Sequence, residues 1–338
     1  MADIRHFMTD NLPKIKRICV YGVGGVGGYF GGRLAHSMHG GKGSGYEIYF
    51  IARGLHLNAI RIHGLKVITP RKTFIARPNL AADDIRRIPT PNLILLCVKS
   101  YDLDGVVQKL RANVNENTVI IPLLNGVDIY DRIRAQLESG IVLPACVFIG
   151  THIQSPGVIK QNGGDGIIMF GRDPKHPDFT AQNVMDFFSR MGITCKWNDD
   201  PFPAIWEKYI FISAFGLVTV HTGKTLGEIM EDGESRETVR AIMAEVSALA
   251  KAKGISLPAN VIEESLNKAN KVPRETKSSY QRDIESGRRS NEGDLYGGTI
   301  IRMGEALGVP TPVTKLIYSE IQRRSGTSAA SQNKGAEI

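Results

Sequence analysis

The chain has 338 residues, of which 42% are hydrophobic and 22% charged, a balance that indicates a globular protein with one large or two ordinary domains. The formal net charge is +8, but the basic residues are spread along the chain without a recognition module or an aromatic and basic platform. A nucleic-acid partner is therefore not expected.

Membrane association is not expected either. No apolar run approaches the length of a bilayer span, and the polar N-terminus lacks the apolar core of a signal peptide. These features predict a cytoplasmic protein. The four cysteines stand singly, without a C-x-x-C spacing, which predicts reduced thiols and no metal site.

A glycine-rich turn at residues 16–33 is the strongest functional signal. An apolar strand pattern leads into glycines with the G-x-G-x-x-G spacing, and a helical pattern follows directly. In a dinucleotide site Gly22 would make the turn, Gly24 would let a pyrophosphate approach the backbone, and Gly27 would let the helix pack on its strand. The phosphates would lie at the helix N-terminus. The residues predicted to contact the dinucleotide at this turn are Gly22, Gly24, Gly25, Val26 and Gly27.

The alternative is a glycine-rich turn that binds nothing. Against it stand four further glycines, because each glycine within a helix costs about 1 kcal/mol relative to alanine, and a purely structural helix would have little reason to carry them. They are Gly25, Gly28, Gly31 and Gly32.

The residue after the second predicted strand, at 46–52, indicates which dinucleotide is bound. An NAD site usually places an acid there for the ribose 2′-hydroxyl, whereas this chain has Arg53. A guanidinium binds phosphate oxygens in a fork, so Arg53 favours NADPH. The alternative is an ordinary surface arginine.

Two further apolar runs, at 92–99 and 118–126, are typical of central parallel strands buried on both faces. They end in Lys99 and Asn125, which we expect at the carboxyl edge of the sheet, where ligands bind. Each could instead be a solvated or capping residue. Strands and helices alternate through residue 140, which predicts a doubly wound, Rossmann-type sheet.

The pattern changes along the second half of the chain. Residues 140–171 have the turn signals of antiparallel strands, and after Pro201 and Pro203 the apolar spacing is helical. The sequence therefore predicts an NADP-binding α/β domain at 14–200, an all-helical substrate domain at 201–325, and a disordered segment at 326–338.

Lys208 lies in the otherwise apolar start of that helical domain. A lysine can protonate a developing alkoxide, and burial lowers lysine pKa values towards the range that general acid catalysis needs. The alternative is a lysine whose ammonium group extends to solvent.

Taken together, these motifs resemble the ketopantoate reductase (2-dehydropantoate 2-reductase) family over residues 16–321. The resemblance rests on residues in this order: the glycine motif at 22–28, Val98-Lys99, Leu124-Asn125-Gly126, Thr151-His152, Trp206-Glu207-Lys208, the segments 278–283 and 292–294, and the segment 308–312.

The resemblance implies a Rossmann domain followed by a helical domain like the C-terminal domain of 6-phosphogluconate dehydrogenase. It implies reduction of a 2-oxo acid, ketopantoate, by NADPH on the route to pantothenate and coenzyme A. By the same resemblance Lys208 is the general acid, and Glu292 binds a substrate hydroxyl and assists the lysine. Ser279 or its neighbour Ser278 binds the substrate carboxylate, Lys99 and Asn125 lie near the nicotinamide, with Asn125 also contacting substrate, and Arg53 selects the 2′-phosphate.

The chain departs from the family pattern at three places. Family members often carry asparagines one and two turns after the lysine, where this chain has Ile212 and Gly216. Glu292 fits the acid position only if the preceding loop has gained one residue, since strict counting places Asn291 there. An asparagine shortly after the acid is replaced by Gly297 or its neighbour Tyr296.

These departures leave two alternatives to ketopantoate reduction. One is a related NADPH-dependent 2-oxo acid or ketone reductase with another pocket, because pockets that bind hydroxyls discriminate through amide partners. The other is a non-catalytic NADP(H)-binding regulator, against which Lys208 argues. A homodimer through the helical domain is possible.

Overall fold

The computed structural model describes residues 15–42, 45–287 and 291–334, with side chains omitted at Lys42 and at 325–334. The chain divides into two compact units, Met1–Pro201 and Phe202–Ile338.

Unit 1 contains a six-stranded parallel sheet with the order β5-β2-β1-β6-β7-β8. Its strands are β1 (Arg17–Tyr21), β2 (Glu47–Ile51), β5 (Leu80–Ala82), β6 (Leu93–Leu96), β7 (Val119–Pro122) and β8 (Ile141–Val142). All residues of β6 and β7 are buried, as expected of central strands covered on both faces.

Helices cover both faces of this sheet. They are α1 (Gly25–Ser37), α2 (Gly54–His63), α3 (Leu103–Leu110) and α4 (Ile129–Arg134), with α5 (Gln182–Arg190) later in the unit. Side chains of α1 and α2 pack with one face of the sheet, and those of α3 and α4 pack with the other. The predicted doubly wound, Rossmann-type fold is confirmed.

A second, mixed sheet completes unit 1. Its strands are β3 (Leu65–Ile68), β4 (Thr73–Ala76), β9 (Ala145–Ser155), β10 (Val158–Gly171) and β11 (Cys195–Asn198). Strands β9 and β10 form the antiparallel pair that the turn signals predict, while β10 pairs in parallel with β3 and β11. Helix α1 packs against strands of both sheets.

This position between two sheets explains the additional glycines of α1. A Cβ on Gly28 would lie 2.5 Å from Ile159 Cγ1, and one on Gly32 would lie 2.5 Å from Val67 Cγ2. A Cβ on Gly31 would lie 3.0 Å from both Val20 Cγ2 and Phe50 Cε1. The expectation that a purely structural helix has little reason to carry these glycines is therefore wrong, since close helix–sheet packing requires them.

A buried ion-pair network joins three segments of unit 1. The Asp173 side chain is fully buried and accepts hydrogen bonds from the Tyr130 hydroxyl at 2.7 Å and the Val142 amide at 3.0 Å. Arg134 and His176 also pair with it. Burial by itself would raise the pKa of Asp173, but these hydrogen bonds and the charge of Arg134 lower it below its ordinary value.

Unit 2 consists of helices, with no strand among its described residues, so the predicted all-helical fold is confirmed. The helices are α6 (Phe202–Thr222), α7 (Leu226–Glu231), α8 (Gly233–Ala252), α9 (Val261–Ala269), α10 (Ser279–Glu285), α11 (Thr299–Leu307) and α12 (Pro312–Lys334). A π-helical turn, Asp294–Gly298, leads directly into α11.

Helix α6 is the centre of unit 2 and packs against α8, α9, α10 and α12. With 21 residues it is long and apolar enough to cross a membrane by length and composition, contrary to the expectation from the sequence. Most of its residues are buried inside the protein, which is the pattern of a core helix.

Helix α12 ends at Lys334, so its backbone is helical through most of the segment 326–338 that the sequence predicts to be disordered. This segment contains one glycine and no proline before 335, and therefore no strong helix breaker. Residues 335–338 lie outside the described residues.

Candidate active site

The turn between β1 and α1 has the backbone geometry of a dinucleotide-binding turn. Gly22 has φ +92°, a conformation that favours glycine, and its amide donates to the Ile51 carbonyl at 2.9 Å. A Cβ on Gly22 would lie 2.8 Å from the Cys97 carbonyl oxygen. The turn is thus held tightly against the ends of two neighbouring strands.

Gly24 differs from the other glycines of the motif. Its φ is −84°, and a Cβ placed on it would have no heavy atom within 4 Å. Helix α1 begins at Gly25, and the first backbone amides of a helix have no intrahelical acceptor. The open space at Gly24 next to these amides fits a phosphate group.

Gly25 and Gly27 instead make room for the protein itself. A Cβ on Gly25 would lie 2.7 Å from the Thr151 carbonyl oxygen, and one on Gly27 would lie 2.1 Å from that of Gly22. Val26 is half-buried and packs on the core. Of the five residues predicted at this turn, Gly24 is the one whose missing side chain leaves open space.

The packing of Thr151 on Gly25 shows a polar group to which the sequence interpretation assigned no role. The Thr151 hydroxyl is buried and has no hydrogen-bond partner in the described part of the chain. Buried hydroxyls usually find a partner. This one lies against Gly25, at the start of α1.

Arg53 lies two residues after the end of β2 and is largely exposed. Its Nη2 lies 2.6 Å from Oδ2 of Asp102, which belongs to the short turn Ser100–Asp102 after β6. Burial, helped by negative charges that include Asp84 and Asp102, raises the pKa of Tyr21 to about 12, and Arg53 opposes this effect. Both members of the ion pair thus act on Tyr21, in opposite directions. The sequence interpretation did not anticipate its pairing with Asp102.

Lys99 and Asn125 follow neighbouring strands, as predicted. Both are half-buried, Lys99 immediately before the turn Ser100–Asp102 and Asn125 before Gly126, whose φ is +126°. Because β6 and β7 pair in parallel, both residues lie at the carboxyl edge of the sheet, together with Gly22 and Arg53.

In unit 2, Lys208 is half-buried in the first half of α6. Ile212 and Gly216 follow at intervals of four residues, so the three residues lie on one face of the helix. Ile212 is half-buried and Gly216 is buried. Where family members often carry two amide side chains, this chain thus has the aliphatic side chain of Ile212 and, at Gly216, no side chain.

Tyr296 occupies the space beside Gly216. A Cβ on Gly216 would lie 3.6 Å from Cγ of the Tyr296 ring, which is ordinary van der Waals contact. The Tyr296 hydroxyl lies 3.3 Å from Oγ of Ser279. Gly297 packs against Tyr318 instead, since a Cβ placed on it would lie 2.4 Å from the Tyr318 ring. Tyr296, and not Gly297, is therefore the residue next to the face of α6 that carries Lys208.

The two candidate serines have different surroundings. Ser278 caps α10 by accepting from the Gln281 amide at 3.0 Å, and its hydroxyl lies 2.7 Å from that of Thr219. Thr219 donates its own proton to the Gly216 carbonyl, so Ser278 must donate to Thr219. The proton of the Ser278 hydroxyl is therefore already donated within unit 2. Ser279 is half-buried, with the Tyr296 hydroxyl as its neighbour.

The alternatives for the acid position also differ in structure. Asn291 accepts from the Gly293 amide through its side chain at 2.9 Å, which is a local capping role. Glu292 has an exposed fraction of 4%, and its carbonyl accepts from the Tyr296 amide at 3.2 Å. The glutamate is thus the buried acid, one helical turn before Tyr296.

The ligand sets of metal sites combine several histidine, cysteine or acidic side chains. No three histidine, cysteine, aspartate or glutamate side chains there come together in an arrangement that could hold a metal ion. All four cysteines are free thiols.

Comparison with known proteins finds oxidoreductases that are similar to this chain over nearly its whole length. An uncharacterized oxidoreductase of Bacillus subtilis, YkpB, is 25% identical over 307 residues, which is 90% of this chain and 98% of that protein. The crystal structure of 2-dehydropantoate 2-reductase from Porphyromonas gingivalis has a TM-score of 0.75 at 33% identity and covers 91% of this chain and 99% of that one. A ternary structure of D-mandelate dehydrogenase with NADH and anilino(oxo)acetate has a TM-score of 0.79 at 20% identity, covers 92% and 99% of the two chains, and shares the fold.

Two family descriptions match the two units in turn. Ketopantoate reductase PanE/ApbA matches residues 18–175, and its C-terminal counterpart matches residues 202–325. Together they cover most of the chain, including the glycine turn and Lys208. The fold and these matches show an oxidoreductase of known architecture: the chain belongs to the ketopantoate reductase family.

Proposed function

We propose that this chain reduces the carbonyl group of a 2-oxo acid with NADPH. The first candidate substrate is 2-dehydropantoate (ketopantoate), which would give pantoate on the route to pantothenate and coenzyme A. The observation that carries the proposal is the open space at Gly24 beside the first amides of α1, in a chain that also presents Lys208 on a half-buried helix face.

The residues of unit 1 would hold the dinucleotide. The amides of Gly25, Val26 and Gly27 would bind the pyrophosphate, and Arg53 would bind the 2′-phosphate. Lys99 and Asn125 would lie near the nicotinamide ring. When bound, NADPH would supply the hydride.

The residues of unit 2 would act on the substrate. As the hydride adds to the carbonyl carbon, negative charge grows on the carbonyl oxygen, and Lys208 would stabilise it and transfer a proton to it. Ser279, with its hydroxyl beside that of Tyr296, would bind the carboxylate, since Ser278 already uses its hydroxyl in capping α10. Glu292 would bind a substrate hydroxyl and assist Lys208.

A second candidate is a reductase for a 2-oxo acid whose side chain carries no hydroxyl. Ile212 cannot hydrogen-bond, and beside Gly216 stands the ring of Tyr296. A wall of this kind favours an apolar substituent. D-mandelate dehydrogenase, a protein of the same fold, binds anilino(oxo)acetate, an aromatic oxo acid.

Two substrates separate these candidates because they differ by one hydroxyl group: ketopantoate and trimethylpyruvate. The experiment measures kcat/KM for both from the loss of NADPH absorbance, and repeats the measurement with Lys208→Ala. A site built to bind the hydroxyl should prefer ketopantoate by a factor of about 10⁴. Equal or faster reduction of trimethylpyruvate would support the second candidate.

The same experiment tests the proposal itself. Tight NADPH binding with no turnover of either compound, or of a wider panel of 2-oxo acids, would overturn it in favour of a non-catalytic NADP(H)-binding regulator. A cytoplasmic location and a homodimer through the helical unit stay predictions.

A further inference from the structure

The contact between Arg53 and Asp102 affects how the nucleotide site can recognise a ribose. The arginine proposed to bind the 2′-phosphate donates from Nη2 to the Asp102 carboxylate at 2.6 Å. Asp102 is the less exposed partner, with 26% of its side chain exposed against 77% for Arg53. The carboxylate is therefore the more enclosed partner, and the guanidinium is the more exposed one.

The topology places this pair at the nucleotide edge. Strands β2 and β6 flank β1, and β1 leads directly into Gly22 and the glycine turn. Arg53 follows β2, and Asp102 lies in the turn that follows β6. The ion pair thus spans the end of β1, where Tyr21 is close enough for both charges to affect its pKa.

A 2′-phosphate and a 2′-hydroxyl would meet this pair differently. The phosphate carries negative charge, so it must compete with Asp102 for the guanidinium and is repelled by the carboxylate. A ribose 2′-hydroxyl is neutral and can donate a hydrogen bond to a carboxylate, which is the usual contact in NAD sites.

We infer that Asp102 is a specificity-determining residue that disfavours the 2′-phosphate, so that the site accepts NADH as well as NADPH. The inference rests on the nucleotide site of the proposed function and concerns its selectivity. To contact the 2′-phosphate of NADPH, Arg53 would have to leave Asp102, whereas with NADH the ion pair would be kept.

The test compares dissociation constants of NADPH and NADH for the full chain and for Asp102→Asn, measured by titration calorimetry without substrate. The asparagine keeps the shape but removes the charge and can donate to a phosphate oxygen. We expect Asp102→Asn to bind NADPH roughly three- to fivefold more tightly than the parent chain does, which is the scale of an exposed ion pair. NADH should bind equally or more weakly, so that the ratio of the two constants shifts towards NADPH.

Two further variants separate this role from general effects on the fold. Asp102→Glu keeps the charge and should keep the ratio of the parent chain. Asp104→Asn removes a nearby acid that pairs with Arg132, and should leave both dissociation constants within about twofold. An unchanged or lower preference for NADPH in Asp102→Asn, or a parent chain that does not bind NADH, would overturn the inference.

Failure of the inference is distinguishable from failure of the proposed function. Absence of 2-oxo acid turnover with both dinucleotides still bound would remove the proposed reaction and leave the role of Asp102 intact. An unchanged ratio in Asp102→Asn with normal turnover would remove only the role of Asp102. A chain that binds neither dinucleotide would overturn both.

Discussion

A Cβ on Gly216 would lie 3.6 Å from the ring of Tyr296, so the tyrosine fills the space beside the glycine without excluding a small side chain. Family members often carry one asparagine at the position of Gly216 and another near Tyr296. This chain therefore has one tyrosine ring where those proteins have two amide groups, and the tyrosine hydroxyl lies beside Ser279. The wall next to Lys208 on α6 is therefore less polar than the family pattern.

Ile212→Asn should restore one of the missing amides. Ile212 is half-buried and lies one turn after Lys208, so an asparagine there can reach a substrate hydroxyl without opening the core. We expect kcat/KM for ketopantoate to rise roughly tenfold relative to trimethylpyruvate, the scale of one hydrogen bond. Ile212→Leu is the matched control, and the same rise in it would argue against an amide effect.

Gly24→Ala and Gly27→Ala should separate ligand binding from packing. A Cβ at Gly24 meets no atom within 4 Å and its φ is −84°, so the melting temperature should change little while NADPH affinity falls by about tenfold or more. A Cβ at Gly27 would lie 2.1 Å from the Gly22 carbonyl oxygen, so that variant should lose stability first. Thermal melts and NADPH titrations check both. Normal NADPH binding by Gly24→Ala would rule out a phosphate at this turn.

Lys208→Ala should lower kcat by about 10²- to 10⁴-fold, because the proton donor for the carbonyl oxygen is removed. Dissociation constants of NADPH should stay within about twofold, since the lysine acts on the substrate. Lys251→Ala, an exposed lysine at the end of α8, serves as control. Turnover of Lys208→Ala equal to that of the control would exclude Lys208 as the acid.

Arg53→Ala should weaken NADPH by about tenfold or more and leave NADH nearly unchanged, because a charge-assisted contact with the 2′-phosphate is lost and Asp102 remains. The exposed Arg71, on the loop between β3 and β4, offers a matched control in Arg71→Ala. Equal weakening of both dinucleotides would mean that Arg53 does not read the 2′-phosphate.

Asp173→Asn should destabilise unit 1 in a pH-dependent way. The variant leaves the charge of Arg134 without its buried partner, which should cost about 3 kcal/mol near neutral pH. The pKa of Asp173 is lower in the folded protein than in the unfolded chain, where it is about 3.9. The ionised carboxylate therefore contributes fully to the free energy of unfolding above the unfolded pKa. This contribution is lost as the pH falls through the folded pKa. The difference in melting temperature between the two proteins should therefore shrink below about pH 4. A difference independent of pH would argue against an ionised Asp173.

Several parts of this architecture follow from local patterns. Continuous apolar runs predicted β6 and β7 as buried strands, and helical spacing predicted α6 and α8. Polar residues at the strand ends identified Lys99 and Asn125 at the carboxyl edge.

Other features needed the folded chain. From the sequence, the glycines of α1 favoured a nucleotide site. In the folded chain, the packing of α1 between two sheets explains Gly28 and Gly32 even if no nucleotide binds. Two neighbouring serines were equivalent in the sequence. The hydrogen bonds of Ser278 to Thr219 and the Gln281 amide separate it from Ser279.

The sequence by itself determined the two-unit organisation, the glycine turn and the family, because the spacing of apolar residues and glycines governs local backbone structure. The tertiary structure alone decided that Asp102 holds Arg53 and that Tyr296 fills the space beside Gly216. These contacts join residues 49 and 80 positions apart, as their numbers show. They depend on how distant segments pack, which no local pattern encodes.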